Sequence, residues 1–289
     1  MIAVMGAAGN VGGKVAGRLL EAGQPVRVLE HRRSLAELGR RGAEVVTGDL
    51  TDPGSLGVLL KGAEAALVVL PDVVTDPEFT ATRSRMSRTI VDALAGSGVC
   101  HVVALSTVAA GDAGARGPAA GLRELEQGLS GLPDRSVLVL RSPFYMENLL
   151  AGIPLIEAQG VNGSALDGDL ELPMIATGDV AAEAARRLAG RDFSGHRVKL
   201  LVGPGGHQPP GRHQGPRPAP RPARPGVCAV PAGRDAGRPA RRRHVGGGAA
   251  QMVELQLALN RSGPFSAVRA AADAVAPTRL AAFLEDAVR

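Results

Sequence analysis

Three glycines at positions 6, 9 and 12, in the run VMGAAGNVGGKV at 4–15, follow a short apolar stretch and open a helical pattern. Strand, glycine turn and helix in that order make a cradle for an anion. Gly6 permits the tight turn, Gly9 lets the backbone approach a pyrophosphate, and Gly12 lets the helix lie close to the sheet. The helix start then presents unpaired N–H groups to phosphate charge. GxxGxxG alone is a common turn pattern; its strand–turn–helix context makes it a dinucleotide signal. Two later stretches fit the same ligand. The second apolar run ends in Glu30-His31-Arg32-Arg33, where the adenosine ribose of a dinucleotide would lie. An acid there holds a ribose 2′-hydroxyl, whereas an arginine pairs with a 2′-phosphate. Arg32 and Arg33 therefore favour NADP(H) over NAD(H), with Glu30 pointing the other way. The third run ends in Gly48-Asp49-Leu50, and Asp49 is placed either to accept from an adenine amino group or to cap a turn.

The elements that must carry these residues are legible as an alternation. Residues 2–5, 25–29, 44–46, 65–70 and 101–105 are short apolar runs, apolar on both faces as buried parallel strands are. Helical patterns lie between them at about 10–22, 34–41, 53–61 and 76–97. This order predicts an α/β fold with a doubly wound parallel Rossmann sheet. Residues 137–140 and 198–202 read as later strands of the same sheet. A helix is expected at 179–189, with Asp179 as its N-cap. The boundaries expected are a cofactor lobe over 1–150 and a smaller C-terminal substrate lobe over 151–289.

From Gly203 the periodicity stops. Ten of the 21 prolines fall between 204 and 239, and residues 203–250 hold nine arginines against the single acid Asp235. That segment's net charge of +8 accounts for the bulk value of +5 and leaves the remaining residues at −3. The basicity is therefore local, and it is no general sign of an acidic partner. The segment has no aromatic platform for bases, which argues against a nucleic-acid arm. Pro222 and Pro225 meet the spacing of a polyproline ligand, a match that this composition makes easily. A third reading is a stretch translated out of frame. The codons allowed for Gly206 to Gln214, read one base later, permit Asp-Ile-Ser-Leu-Gln-Asp-Ala-Thr-Lys, a capped helix start. As written, 204–250 cannot bury enough apolar surface to offset its ordering entropy, so an irregular loop is expected. Helical patterns resume at 251–260 and at 277–288, the latter with Pro277 in its first turn.

Two cysteines, Cys100 and Cys228, show no metal-ligand spacing. They predict a reduced, cytoplasmic protein with no bound metal. No export-type segment follows Met1, and no stretch has the roughly 20 apolar residues that a membrane helix needs.

At several landmarks the chain resembles the NmrA-like family of atypical short-chain dehydrogenases/reductases. They are GAAGNVGG, GDLTDP at 48–53, VVLP at 68–71, ALST at 104–107, PAAGLRELE at 118–126, SPFYMENLL at 142–150 and LPMIATGDVA at 172–181. The resemblance covers residues 1–203 and returns from about 251. It implies a Rossmann lobe beside a smaller substrate lobe, and NAD(P)(H) as cofactor. The contacts it implies are Gly6, Ala8, Gly9, Asn10, Val11 and Gly12 in the loop and His31, Arg32 and Arg33 at the ribose. Asp49, Leu50, Leu70, Pro71 and Ser106 complete that set. Family members include NAD(P)H-dependent quinone and aromatic-compound reductases, and also regulators that sense cofactor redox state through protein contacts. The expected partner is accordingly a small molecule such as a quinone or similar conjugated carbonyl, or, for a regulator, another protein.

Catalytic groups are sparser. Short-chain dehydrogenases use a tyrosine four residues before a lysine, which depresses the phenol pKa. With Tyr145 as the only tyrosine and lysines only at 14, 61 and 199, that pair cannot form. Reductases of the family often carry a lysine in the PAAG segment where this chain has Leu122. Arg123 next door is a poor proton donor, yet it can stabilise developing negative charge. Ser106, at a strand's carboxyl end, is a cap, a cofactor contact or a proton relay. Tyr145 and Asn148 by resemblance border the nicotinamide and the substrate; the plainer reading is that Phe144, Tyr145 and Met146 pack a core. Direct hydride transfer to a quinone makes light demands on acid catalysis, so losing the lysine is compatible with a reductase.

Overall fold

The protein is described from a computed structural model, which covers residues 1–114, 117–153, 171–207 and 265–287 and the single positions 158, 166, 253 and 256. The arginine- and proline-rich stretch 208–250 and most of the helix expected at 251–260 lie outside the described residues.

An eight-stranded sheet forms the centre. Its strands are β1 (Ile2–Val4), β2 (Val26–Glu30), β3 (Glu44–Thr47), β4 (Ala65–Val68), β5 (His101–Thr107), β6 (Ser136–Ser142), β9 (His196–Val202) and β11 (Ala274–Val275). The order across the sheet is β3-β2-β1-β4-β5-β6-β9-β11, and every neighbouring pair is parallel. This is the doubly wound Rossmann arrangement that the alternating pattern predicts. A second, three-stranded sheet joins β7 (Phe144–Tyr145), β8 (Leu172–Ile175) and β10 (Gly206–His207) in the order β7-β8-β10. Strand pairing thus runs on to His207, four residues past the end of the sequence periodicity.

The apolar runs become strands because both of their faces are covered. Ile2, Ala3 and Val4 are completely buried, as are Ala65 to Val68. One face carries α1 (Asn10–Glu21), α2 (Ala36–Arg40) and α6 (Thr177–Gly190); the other carries α3 (Pro53–Leu60), α4 (Phe79–Ala95) and α5 (Pro118–Ser130). Small residues at Ala181, Ala184 and Ala185 of α6 meet Val15, Ala16 and Leu19 of α1 in one core. The second sheet has a small core of its own, in which Met146, Leu172 and Met174 are covered by Leu280 and Phe283. Those two lie on α8 (Leu280–Ala287), which follows α7 (Phe265–Ala270).

Element ends differ from expectation where side chains decide them. The first turn of α6 begins at Thr177, and Asp179 does not cap it. Asp179 accepts instead from the Thr278 amide at 3.1 Å and the Thr278 hydroxyl at 2.9 Å, joining α6 to the C-terminal segment. α4 starts at Phe79 rather than 76, because the Asp76 carboxylate takes the Glu78 amide in a turn. α8 starts at Leu280, beyond Pro277.

Glu183 on α6 sits at the centre of a charge cluster, with Arg186, Arg187 and Lys199 within 2.9–3.1 Å. Burial works to raise its carboxyl pKa, but hydrogen bonds from these three cations outweigh it and hold the group at about 2. A depressed carboxyl pKa stabilises the fold above the unfolded-state value and loses that contribution as pH falls through the folded one. Stability measured by denaturant titration is therefore expected to drop between about pH 4.5 and 2, by roughly 1–2 kcal/mol from this residue once solvent screening of the half-exposed Arg186 is allowed for. Glu183→Gln should flatten the curve in that window; an unchanged pH profile would contradict the assignment.

Candidate functional site

The carboxyl edge of the sheet brings the sequence landmarks together. Between β1 and β4, where the strand order reverses, the glycine loop leaves β1 and opens α1. The Met5 amide donates to the Leu67 carbonyl at 3.0 Å, and the Gly9 amide closes the turn on Gly6 O at 2.9 Å. Gly6 has a φ of +68°, and a Cβ there would stand 2.8 Å from Val69 Cβ. A Cβ on Gly12 would lie 2.2 Å from the Gly6 carbonyl oxygen. The loop is thus folded so tightly on itself that these positions admit no side chain. α1 has no side-chain cap at Gly9 and no acid in its first turn. Its leading amides and its dipole are left for an external anion. That donor set, at the switch point of a parallel sheet, fits a dinucleotide pyrophosphate.

The side on which the sequence places an adenosine is assembled from the ends of β2 and β3. Arg33 Nη1 donates to the Ala8 carbonyl at 3.2 Å, drawing the end of β2 against the glycine loop. His31 Nδ1 lies 3.1 Å from Gly48 O and 3.6 Å from the Asp49 carboxylate. Glu30 Oε2 accepts the Leu35 amide, so this carboxylate organises the turn into α2. Asp49 Oδ1 takes the Thr51 amide at 2.7 Å and the Thr51 hydroxyl at 2.8 Å, the turn-capping role. Burial works to raise its pKa; these hydrogen bonds, with smaller contributions from His31 and Arg32, bring it below the ordinary value. Arg32 and Arg33 are exposed, and Leu50 is buried beneath the edge.

The exit of β4 is held from behind by an arginine that sequence reasoning missed. Arg83 of α4 is 1% exposed. It donates to Pro71 O at 2.6 Å, to the Asp72 carboxylate at 2.6 Å and to Pro118 O at 3.1 Å. One guanidinium therefore fixes Leu70, Pro71 and Asp72 and ties them to the start of α5. The signal was available in the helical phase. Phe79, Arg83, Met86, Ile90 and Leu94 fall on one buried face of α4, and a charge on that face needs partners.

The proposed catalytic groups are placed less favourably. Ser106 donates its hydroxyl to the buried carboxylate of Glu126, which Arg141 pairs at 2.6 Å and 3.1 Å. The Ser106 proton is thereby committed to a network under the edge. Arg123 reaches the Ala110 carbonyl at 3.2 Å, in the turn after β5. Leu122 packs against the core around α4 and α5. Tyr145 lies on β7, paired with Ile175. Burial pushes its phenol up to about 12, with the neighbouring Ser142 hydroxyl opposing the shift. The Ser142 Oγ is buried and, among the described residues, makes no hydrogen bond of good geometry. Asn148 is exposed in the 3₁₀ turn over Met146–Gly152.

A second cluster outside the expected set joins the two sheets. Glu147 accepts the Thr177 amide at 3.1 Å and 3.0 Å through its two oxygens, and it also accepts the Thr177 hydroxyl. Lys14 Nζ stands 3.0 Å from the same carboxylate and 2.6 Å from the Thr177 hydroxyl. Burial works to raise the Glu147 pKa, and the Thr177 and Lys14 hydrogen bonds bring it below the ordinary value. An acid set in the apolar run FYMENLL was the visible cue; its partners, 133 and 30 residues away, were not.

A parallel sheet whose reversal point carries an uncapped, glycine-lined helix start defines a Rossmann fold of the dinucleotide-binding type. The chain belongs to the NmrA-like family, whose model matches residues 1–200. It is 36% identical over 207 residues to a (4-alkanoyl-5-oxo-2,5-dihydrofuran-3-yl)methyl phosphate reductase of Streptomyces griseus subsp. griseus, a match spanning 71% of this chain and 68% of that one. With an NAD(P)H azoreductase of Xenophilus azovorans it shares 29% identity over 191 residues, 65% of this chain and 63% of the relative. The crystal structure of an NADPH-dependent quinone oxidoreductase from Escherichia coli in complex with NADPH superposes with a TM-score of 0.58 at 28% identity, covering 71% and 70% of the two chains.

Proposed function

We propose that the protein is an NAD(P)H-dependent reductase of small conjugated carbonyl compounds, quinones or unsaturated lactones among them. The observation that carries this reading is the uncapped start of α1 at the strand-order reversal, with a glycine loop closed to side chains at Gly6 and Gly12. The reductase relatives support the reaction class, and the quinone and dihydrofuranone named for two of them share a conjugated carbonyl acceptor. The nicotinamide, when bound, supplies the hydride.

The chain's own residues would divide the remaining work. The amides of Asn10, Val11 and Gly12 bind the pyrophosphate, and Leu70 and Pro71 flank the cofactor at the β4 exit. Tyr145, whose phenol stays protonated at neutral pH, donates a hydrogen bond toward the acceptor oxygen rather than transferring its proton. Developing negative charge is then neutralised from water, since Ser106 is committed to Glu126. Substrate consumption tests the reading: NADPH oxidation should be catalysed with a panel of quinones, azo dyes and butenolide phosphates. Dinucleotide binding with no turnover across that panel would overturn the reductase reading and leave a sensor.

The cofactor is proposed to be NADP(H). Glu30 spends an oxygen on the Leu35 amide, while Arg32 and Arg33 remain exposed at the ribose position. Removing a charged hydrogen-bond donor typically loses about 1.5–3 kcal/mol. Arg32→Ala should therefore weaken NADPH binding by roughly 10- to 100-fold and leave NADH within about two-fold. Equal losses for both dinucleotides in calorimetry would place the arginine elsewhere.

A further inference from the structure

We infer that Glu147 and Lys14 are positioning residues of the reduction, setting the Tyr145–Asn148 wall against the cofactor loop; the inference rests on the reductase reading above. The segment alternates its side chains between four surroundings. Tyr145 packs against the main core, Met146 is completely buried in the small core, Glu147 reaches α6 and α1, and Asn148 is exposed. Its two apolar anchors thus belong to different cores, and the strand β7 is only two residues long. Apolar contacts are non-directional, so by themselves they leave freedom in the fine placement of the segment against the glycine loop. The Glu147 carboxylate removes that freedom.

Its geometry is specific. Two oxygens meet the amide and hydroxyl of Thr177, which is 0% exposed and is the first residue of α6. A carboxylate from another segment therefore caps α6, whose own N-cap residue, Ala176, offers no side chain for the purpose. Lys14 adds the third side. It lies two residues beyond Gly12, on the helix whose first turn faces the pyrophosphate position. One cluster so joins the helix under the cofactor, the wall bearing the proposed substrate residues, and the helix behind that wall. Glu147 is only 10% exposed, whereas Lys14 is 45% exposed. Removing the lysine therefore frees the carboxylate without opening a core. A displacement of about 1 Å in a reacting group is enough to lose roughly 100-fold in rate.

The test uses the full-length protein with Lys14→Met, Lys14→Arg and Glu147→Gln. Two readouts are needed: steady-state reduction of a quinone by NADPH, and hydrogen–deuterium exchange across 145–152 with and without NADPH. The expected result for Lys14→Met is a loss of about 10-fold or more in kcat/KM for the acceptor, NADPH affinity within about two-fold, and recovery in Lys14→Arg. NADPH should slow exchange across 145–152 in the wild type and fail to do so in Lys14→Met. Glu147→Gln is expected to behave likewise, and if it fails to fold, Lys14→Met still decides. Wild-type kcat/KM together with retained NADPH-induced protection in Lys14→Met would overturn the inference while leaving the reductase reading intact. A wild type that binds NADPH but turns over no acceptor would overturn the reductase reading and this inference with it. Absence of NADPH binding to the wild type would overturn both.

Discussion

Gly12→Ala is expected to abolish measurable NADPH binding, weakening it by about 100-fold or more. The reason is geometric. The added methyl would lie 2.2 Å from the Gly6 carbonyl oxygen and 2.6 Å from its carbon. Both are backbone atoms of the turn that places the first amides of α1, so no rotamer change relieves the clash. The loop must open or α1 must move away from it. Either movement displaces the amides proposed to hold the pyrophosphate. Gly57, where an added Cβ meets nothing within 4 Å, serves as the control; Gly57→Ala should bind like the wild type. Calorimetry with circular dichroism as the check on folding decides it. Gly12→Ala binding NADPH at wild-type affinity would mean that the glycine loop is not the dinucleotide site.

Arg83→Met is the second large effect. The substitution keeps an apolar stem beside Phe79, whose ring lies 5.4 Å from the Arg83 guanidinium carbon, but removes every donor. The carbonyls of Pro71 and Pro118 then lose their partner. Each unsatisfied buried acceptor costs about 1–3 kcal/mol. Asp72 loses its ion pair as well, though it is about half exposed and water takes up part of that loss. A total of about 3 kcal/mol is expected, which for a chain of this size lowers Tm by roughly 5 °C. Because the released loop is the β4 exit at the strand-order reversal, NADPH affinity should fall too. A change in Tm of less than about 2 °C would show that the buried guanidinium is replaceable by apolar packing, as some buried ion pairs are.

These two positions mark how far the sequence carries. Gly12 was legible because a glycine's backbone role follows from local order: strand, turn, helix. Seven strands of the central sheet were legible for a related reason, since strands buried on both faces must be apolar throughout, and Ala65–Val68 reads that way without any partner in view; the eighth, the two-residue β11 at Ala274–Val275, was not, because it is too short to show a period. Ends were less so. Asp179 was a reasonable cap by local chemistry, but the Glu147 carboxylate, 30 residues earlier, occupies the start of α6, and Thr278 takes Asp179 instead. Tyr145 was found from its motif; that it lies on a two-residue strand of a separate sheet was not, because so short a strand has no period to detect. Arg83, Lys14 and Glu147 share a cause. Each acts through partners more than ten residues away, and a single sequence records the charge without the contact.

The same limit applies to chemistry. Ser106 stood at the strand end where doubly wound sheets bind ligands, and its position there is as expected. Its hydroxyl, however, is turned into the network with Glu126 and Arg141, which no spacing in the sequence announces. Tyr145, proposed as the donor to the acceptor oxygen, carries a phenol that burial keeps protonated. A reduction that draws its proton from water suits such a site.

The uncapped start of α1 is proposed to hold a reducing dinucleotide. Calorimetric titration of the purified protein with NADPH and, in parallel, NADH tests it most directly. One binding site per chain is expected, with NADPH the tighter ligand. No detectable binding of either dinucleotide would contradict the account.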